Sequence, residues 1–159
     1  MPKIVIIYDS KSGNTEKMAE AVAEGANTVE GVESELHKAG TPFPISLLNE
    51  ADAIIIGSPS IYGLPTRELR EFLDAAIKLK ETKRLNLRGK IGGVFGSYTW
   101  DGGDIVDRLA ENMKTLEVKL VPPMVSAVDR RGLMATRIDG DSLQRCRELG
   151  RTVAEKLKV

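Results

Sequence analysis

Residues 3–25 read KIVIIYDSKSGNTEKMAEAVAEG, and this stretch decides the fold that the sequence predicts. It begins with a nearly continuous run of isoleucine and valine, which is typical of a strand covered on both faces in a parallel sheet. A polar loop follows over residues 10–15, and from Thr15 onward apolar residues recur at helical spacing with charged residues between them. The stretch therefore predicts a strand, a loop and a helix in immediate succession.

Further strands are predicted downstream of this unit. VESELH (32–37) alternates and indicates a short edge strand, whereas ADAIIIGS (51–58) and KIGGVFGS (90–97) are apolar runs typical of buried strands. The last strand, within VKLVPPMVSAV (118–128), is interrupted by two prolines, which lack the donor needed for strand pairing and so favour an edge.

The spacing of apolar residues predicts the helices between these strands, over about residues 45–49, 66–80 and 104–116. A last helix, capped by Asp141 or Ser142, is expected to end near Leu157. Five strands alternating with helices indicate an α/β fold, a doubly wound parallel sheet, and we expect residues 1–159 to form a single domain. In such a sheet, ligands bind beyond the carboxyl ends of the strands.

Composition excludes several classes of partner. The 159 residues include 23 basic and 23 acidic side chains, so no overall charge favours nucleic acid or an anionic membrane. The sequence shows no signal-peptide core and no apolar stretch long enough for membrane insertion, and we expect a soluble, cytoplasmic protein. The single cysteine, Cys146, has no disulfide partner and belongs to no Cys/His set, so we expect no metal.

The loop SKSGNT (10–15) predicts an anion site. It places three hydroxyls, one amide and several backbone N–H groups at the start of a helix, where unpaired donors and the helix dipole attract a phosphate. Gly13 allows a tight turn without a side chain in front of the ligand. The alternative is an ordinary helix cap. The loop fits neither GxxxxGK[ST] nor GxGxxG, the patterns for nucleoside triphosphates and dinucleotides.

Aromatic residues supply the second part of the pattern. The chain has only three tyrosines, three phenylalanines and one tryptophan, yet Tyr62, Tyr98 and Trp100 all fall in the loops after the third and fourth strands. Both loops are expected at the same sheet edge as SKSGNT, so a flat ring system could stack between them. The alternative for each aromatic residue alone is a half-buried surface anchor.

These motifs carry a family resemblance over essentially the whole chain. SKSGNT resembles the phosphate loop of the flavodoxin superfamily, written [ST]-x-[ST]-G-x-T, and YDSKSGNTEKMAEAVAEG and GSYTWDGG are similar to the flavodoxin module of flavodiiron proteins. The resemblance implies a flavodoxin-like sheet in the order 2-1-3-4-5, with helices on both faces, and FMN as cofactor.

The resemblance also implies the residues around FMN. The phosphate would be surrounded by Ser10, Lys11, Ser12, Gly13, Asn14 and Thr15. One side of the isoalloxazine would be lined by Ser58, Pro59, Ser60, Ile61, Tyr62 and Gly63, and the other by Ser97, Tyr98, Thr99, Trp100, Asp101, Gly102 and Gly103. We expect Tyr62 and Trp100 to stack on the ring, and Tyr98 is the alternative to Trp100. The alternative for Lys11 is a solvated side chain.

The functional implication is an electron-transfer flavoprotein, an oxidoreductase component in electron transport that shuttles electrons between protein redox partners, with no catalytic residues of its own. A second branch stays open, because GSPSIYGLPTRELREFLD (57–74) is similar to flavodoxin-like NAD(P)H:quinone oxidoreductases. In that case NAD(P)H and a quinone would be the partners. A flavin-free interaction module is a third possibility. Monomer and homo-oligomer both stay open.

Overall fold

The computed structural model describes residues 1–99, 103–129 and 138–158. Strands and helices alternate along the chain in the order β1 (Lys3–Tyr8), α1 (Asn14–Ala26), β2 (Glu33–Lys38), α2 (Leu47–Glu50), β3 (Ala53–Pro59), α3 (Arg67–Glu81), β4 (Ile91–Tyr98), α4 (Ile105–Thr115), β5 (Lys119–Leu120), β6 (Val125–Val128) and α5 (Gly140–Leu157). Most of these bounds lie within about two residues of those predicted, which is the usual uncertainty of helix and strand ends.

The strands form one parallel sheet in the order β2-β1-β3-β4-β5, with β6 also paired to β4. β5 and β6 are successive segments at the fifth position, separated by Pro122 and Pro123, as the proline pair predicted. The predicted flavodoxin-like fold is therefore confirmed. Parallel pairing brings the carboxyl ends of all these strands to one edge of the sheet, which is where a ligand site is expected.

The core lies on both faces of the sheet, which is why β1 is apolar at every buried position. Ile4 and Ile6 belong to the cluster under α1 and α5, whereas Val5 and Ile7 belong to the cluster under α3 and α4. Successive side chains of a strand point to opposite faces, so a strand covered on both sides needs a continuous apolar run.

Helices α1 and α5 approach so closely that their backbones touch at glycines. A Cβ added to Gly25 would lie 1.9 Å from the carbonyl oxygen of Arg147, and one added to Gly150 would lie 1.9 Å from that of Val22. Only glycine leaves room for this contact. The contact fixes α1 against α5, and with it the polar loop at the start of α1.

The cap predicted for α5 was wrong. The carboxylate of Asp139, not Asp141 or Ser142, caps the helix by accepting a hydrogen bond from the backbone N–H of Ser142 at 2.7 Å. Asp139 has the extended backbone of an N-cap residue, and the helix begins directly after it at Gly140. In the part of the chain that the structure describes, no helix is both long and apolar enough to cross a membrane.

Candidate functional site

The phosphate loop, residues 10–15, leaves the carboxyl end of β1 and runs into α1. The side-chain oxygen of Ser10 accepts hydrogen bonds from the backbone N–H groups of Gly13 (3.1 Å) and Glu16 (3.2 Å). Gly13 has a φ of 93°, in the left-handed region, and a Cβ placed on it would meet no atom of the described residues within 4 Å. Ser10 therefore holds the turn together, and Gly13 leaves open space in front of it.

Asn14 presents an unusual donor inside this loop. Its side chain is only 2% exposed, and its Nδ2 has no hydrogen-bond partner among the described residues. A buried donor without a partner is rare, because leaving it unpaired costs about 1–3 kcal/mol. A phosphate oxygen would satisfy it. The loop thus fits the phosphate of FMN on an observation that an ordinary helix cap does not explain.

Lys11 is partly solvated, but its charge is engaged. Its Nζ donates to Oε2 of Glu68 at 3.0 Å and lies 3.7 Å from Oδ2 of Asp9. The hydrogen bond with Glu68 raises the pKa of Lys11 and lowers the pKa of Glu68. The side chain therefore bridges the phosphate loop to the first turn of α3, an arrangement that neither sequence-based alternative for Lys11 described.

Buried polar bonds join the phosphate loop to the other two predicted loops. Thr15 Oγ1 and Ser97 Oγ share a hydrogen bond of 2.9 Å, which connects the start of α1 to the end of β4. The carboxylate of Asp9 accepts from the hydroxyl of Thr66 at 2.5 Å, which connects the end of β1 to the start of α3. The three loops therefore meet at the carboxyl edge of the sheet, as predicted.

The loop after β3 ends in a tight hairpin turn. Ile61 and Leu64 exchange two backbone hydrogen bonds, of 2.8 and 3.1 Å, around Tyr62 and Gly63. Both central residues have positive φ, 54° and 84°, which is the signature of a type I′ turn. The hydroxyl of Ser60 accepts from the Gly63 N–H at 2.9 Å. Tyr62, 95% exposed, is thus held on the turn with its ring available for a ligand or partner.

The loop after β4 supplies the facing wall. Ser97 is buried, Tyr98 is half-buried, and the carbonyl oxygen of Ser97 accepts from the Ser60 N–H at 2.8 Å. Gly103 has a φ of 83° and packs so that a Cβ would lie 2.6 Å from Oγ of Ser126 and 3.1 Å from the Tyr98 ring. The predicted site residues Trp100, Asp101 and Gly102 lie outside the described residues, so the choice between Tyr98 and Trp100 stays a prediction.

A groove of about 190 Å³ opens where the three loops meet. It is lined by residues from each of them: Lys11, Ser12, Pro59, Ser60, Ile61, Ser97, Tyr98 and Thr99, together with Asp129. A larger groove, about 470 Å³, lies between α3 and α4, and none of the predicted site residues that the structure describes lines it. The smaller groove is the candidate site, because it is the one that the phosphate loop and the loops after β3 and β4 (the ring-side loops, expected to flank the FMN ring) share.

Sequence reasoning missed four polar residues at this site. Asp9 and Thr66 form the buried bond described above, Glu68 pairs with Lys11, and Asp129 lines the groove while its N–H donates to the Tyr98 carbonyl at 2.6 Å. A usable signal existed for Asp9 and Asp129, since each follows directly on a strand at its carboxyl end. Thr66 and Glu68 gave no comparable signal.

Residues 6–139 of the chain match the protein family described as Flavodoxin. A nitric oxide reductase of Moorella thermoacetica is 32% identical over 161 residues, which cover 98% of this chain and 36% of that protein. An NAD(P)H dehydrogenase (quinone) of Methanosarcina barkeri is 32% identical over 149 residues, covering 76% of this chain and 71% of that protein. The chain thus spans only about a third of the reductase.

Among solved structures, a flavodoxin from the domain Archaea has a similar fold. Its TM-score is 0.81 at 30% sequence identity, and the match covers 99% of each chain. The match therefore spans the fold and is not confined to one motif.

Proposed function

The chain belongs to the flavodoxin family, whose cofactor is FMN, and on that premise we propose that it shuttles electrons between protein redox partners. The family and the cofactor that the sequence motifs predicted are confirmed by the match over residues 6–139 and by the archaeal flavodoxin. FMN supplies the redox chemistry, and the protein contributes binding, orientation and shielding. We also propose that residues 1–159 act as one flavodoxin-like domain.

The observation that carries the proposal is the buried Nδ2 of Asn14. We assign the FMN phosphate to the loop of residues 10–15, where this donor and the backbone N–H groups at the start of α1 meet the negative charge. Gly13 keeps the approach open. Ser10 holds the loop in shape by accepting hydrogen bonds from the N–H groups of Gly13 and Glu16.

We assign the isoalloxazine to the space between the loop of residues 58–63 and the loop of residues 97–103. Tyr62 on the hairpin supports one side, and Tyr98 or Trp100 supports the other. Aromatic side chains stack on flat rings with about 0.5–1.5 kcal/mol beyond their area burial. The hydrogen bond from Ser60 N–H to the Ser97 carbonyl holds these two loops together.

Electron transfer through a bound flavin needs no acid or base from the protein. The single histidine, His37, lies on strand β2, with Nε2 3.1 Å from Oε2 of Glu35 and its ring 4.7 Å from that of Phe43. It is therefore engaged in packing and pairing at the sheet edge. This favours a carrier over an enzyme that moves protons through a histidine.

The second candidate is an FMN-dependent NAD(P)H:quinone oxidoreductase. Two observations favour it: the loop GSPSIYG, and the Methanosarcina barkeri protein, whose printed name is NAD(P)H dehydrogenase (quinone). Its partners would be NAD(P)H and a quinone.

Two measurements test these proposals. Purified protein mixed with FMN and freed of excess should keep a bound-flavin spectrum, and failure to bind FMN would reject both functions. The FMN-loaded protein is then incubated with NAD(P)H and a soluble quinone, with free FMN at equal concentration as the control. A carrier should oxidise NAD(P)H no faster than free FMN, whereas turnover far above that background would establish the oxidoreductase instead.

A further inference from the structure

Asp9 is a buried carboxylate that the proposed FMN contacts do not use. It follows β1 directly, is 2% exposed, and donates its own N–H to the Gly57 carbonyl at 3.1 Å. Its Oδ1 accepts from the Ser10 N–H at 2.8 Å, and its Oδ2 accepts from the Thr66 hydroxyl at 2.5 Å. One side chain therefore contacts both the phosphate loop and the start of α3.

Thr66 is itself fixed at the other end of this bond. It is the N-cap residue of α3, where its hydroxyl oxygen accepts from the Leu69 N–H at 3.3 Å, and its own N–H donates to Oγ of Ser58 at 3.1 Å. The Asp9–Thr66 hydrogen bond, between residues 57 positions apart in the chain, thus anchors the phosphate loop to a helix terminus and, through Thr66, to the end of β3.

A charge at this depth needs compensation. Burying a carboxylate is unfavourable unless it is hydrogen-bonded and paired with a positive charge. Asp9 meets both conditions, because it accepts hydrogen bonds from two donors and Nζ of Lys11 lies 3.7 Å from its Oδ2. Lys11 therefore supplies a positive charge to Asp9 independently of any phosphate.

We propose that Asp9 is a positioning residue of the cofactor site, which holds the phosphate loop in its binding conformation before FMN arrives. This inference rests on the proposed function, because the phosphate loop is its object. A loop that is ordered in advance loses less entropy on binding, so more of the contact energy contributes to affinity.

The structure also predicts which part of the ligand depends on Asp9. The two ring-side loops have their own connection, from Ser60 N–H to the Ser97 carbonyl, and the hairpin has its own bond from Gly63 N–H to Ser60 Oγ. Neither bond involves Asp9. Loss of the Asp9–Thr66 bond should therefore weaken binding of FMN and leave riboflavin, which lacks the phosphate, nearly unaffected.

The experiment compares dissociation constants of apoprotein for FMN and for riboflavin, measured by quenching of flavin fluorescence. Thr66→Val keeps the shape of the side chain but removes the hydroxyl, and with it both the bond to Asp9 and the cap on the Leu69 N–H, whereas Thr66→Ser keeps all of them. Asp9→Asn keeps the volume but has one acceptor oxygen for two donors. The matched control is Asp52→Asn, whose carboxylate accepts from the Lys3 N–H at 2.8 Å near the opposite edge of the sheet.

We expect Thr66→Val and Asp9→Asn to weaken FMN binding by about tenfold, the effect of one hydrogen bond to a charged group. Riboflavin binding should change by less than about twofold, and Thr66→Ser and Asp52→Asn should resemble the unmodified protein.

An equal loss of affinity for both flavins would overturn the proposal in favour of a general structural role, and unchanged FMN affinity would overturn it as well. If Asp9→Asn does not fold, as judged by circular dichroism, the threonine pair decides the question. Absence of FMN binding by the unmodified protein would instead reject the proposed function.

Discussion

Replacement of Asn14 by leucine should separate stability from cofactor affinity. Leucine has nearly the shape of asparagine, so it fills the same buried space but removes the Nδ2 donor that has no partner among the described residues. An unpaired buried donor destabilises the free protein by about 1–3 kcal/mol, and an apolar group of the same shape relieves that penalty. The apoprotein of Asn14→Leu should therefore be as stable as the original or more stable.

FMN affinity should change in the opposite direction. A hydrogen bond to a charged group contributes about 1.5–3 kcal/mol, and about 1.4 kcal/mol corresponds to a factor of ten. The dissociation constant for FMN should therefore rise by about ten- to a hundredfold, while that for riboflavin stays close to its original value. Thermal unfolding of the apoprotein and fluorescence titration with the two flavins, each for the variant and for the unmodified protein, provide the comparison.

The control variant is Asn27→Ala at the far end of the same helix, where the Asn27 side chain accepts from Ser34 Oγ at 2.9 Å. It should leave the affinity for both flavins unchanged. Unchanged FMN affinity in Asn14→Leu would refute the assignment of this donor to the phosphate. A large loss of apoprotein stability would refute the idea that the donor is unpaired before FMN binds.

Three further outcomes are expected. Gly13→Glu should weaken FMN binding more than Gly13→Ala, because both variants share the strain of a positive φ, about 1–2 kcal/mol, but only glutamate adds a negative charge beside the loop. Equal FMN affinities of the two variants would contradict the phosphate site. Gly150→Ala should lower the free energy of unfolding by about 1–3 kcal/mol in urea titrations, because its methyl group would lie 1.9 Å from the Val22 carbonyl. Gly140→Ala should not, because its methyl group would meet no atom of the described residues within 4 Å, and equal effects of the two changes would exclude overpacking as the cause. Burial raises the pKa of Cys146 to about 12, so iodoacetamide at about pH 8 should label the thiol only as the protein unfolds. Fast labelling without urea would contradict this expectation and show that α5 opens readily.

The fold was predictable because the sequence pattern reports burial directly. The runs that became β1 and β3 are continuously apolar, and a strand with helices on both faces is the structure that needs such a run. The cap of α5 was less accessible, because Asp139, Asp141 and Ser142 are all residues that can cap a helix. The choice among them depends on which residue has extended backbone, and that residue is Asp139.

The position of the candidate site was predictable, but the hydrogen bonds within it were not. The loops after β1, β3 and β4 were expected to converge, because the carboxyl ends of parallel strands share one edge. The bonds between those loops were not predicted, because they join residues far apart in the chain: Asp9 with Thr66, and Thr15 with Ser97. No local pattern of residue types specifies which hydroxyl will reach which acceptor across 57 or 82 residues.

Those two hydrogen bonds connect the parts of the proposed site. One joins the phosphate loop to the start of α3, the other joins it to the end of β4, and both are buried. Separate loops would each have to be ordered by the incoming flavin, and the entropy of ordering would be subtracted from its affinity. Because the loops are joined to one another in the free protein, the proposed contacts at the phosphate and at the ring should both contribute to affinity. The comparison of FMN with riboflavin is therefore the informative one, since it separates the affinity that depends on the phosphate loop from the affinity that depends on the ring-side loops.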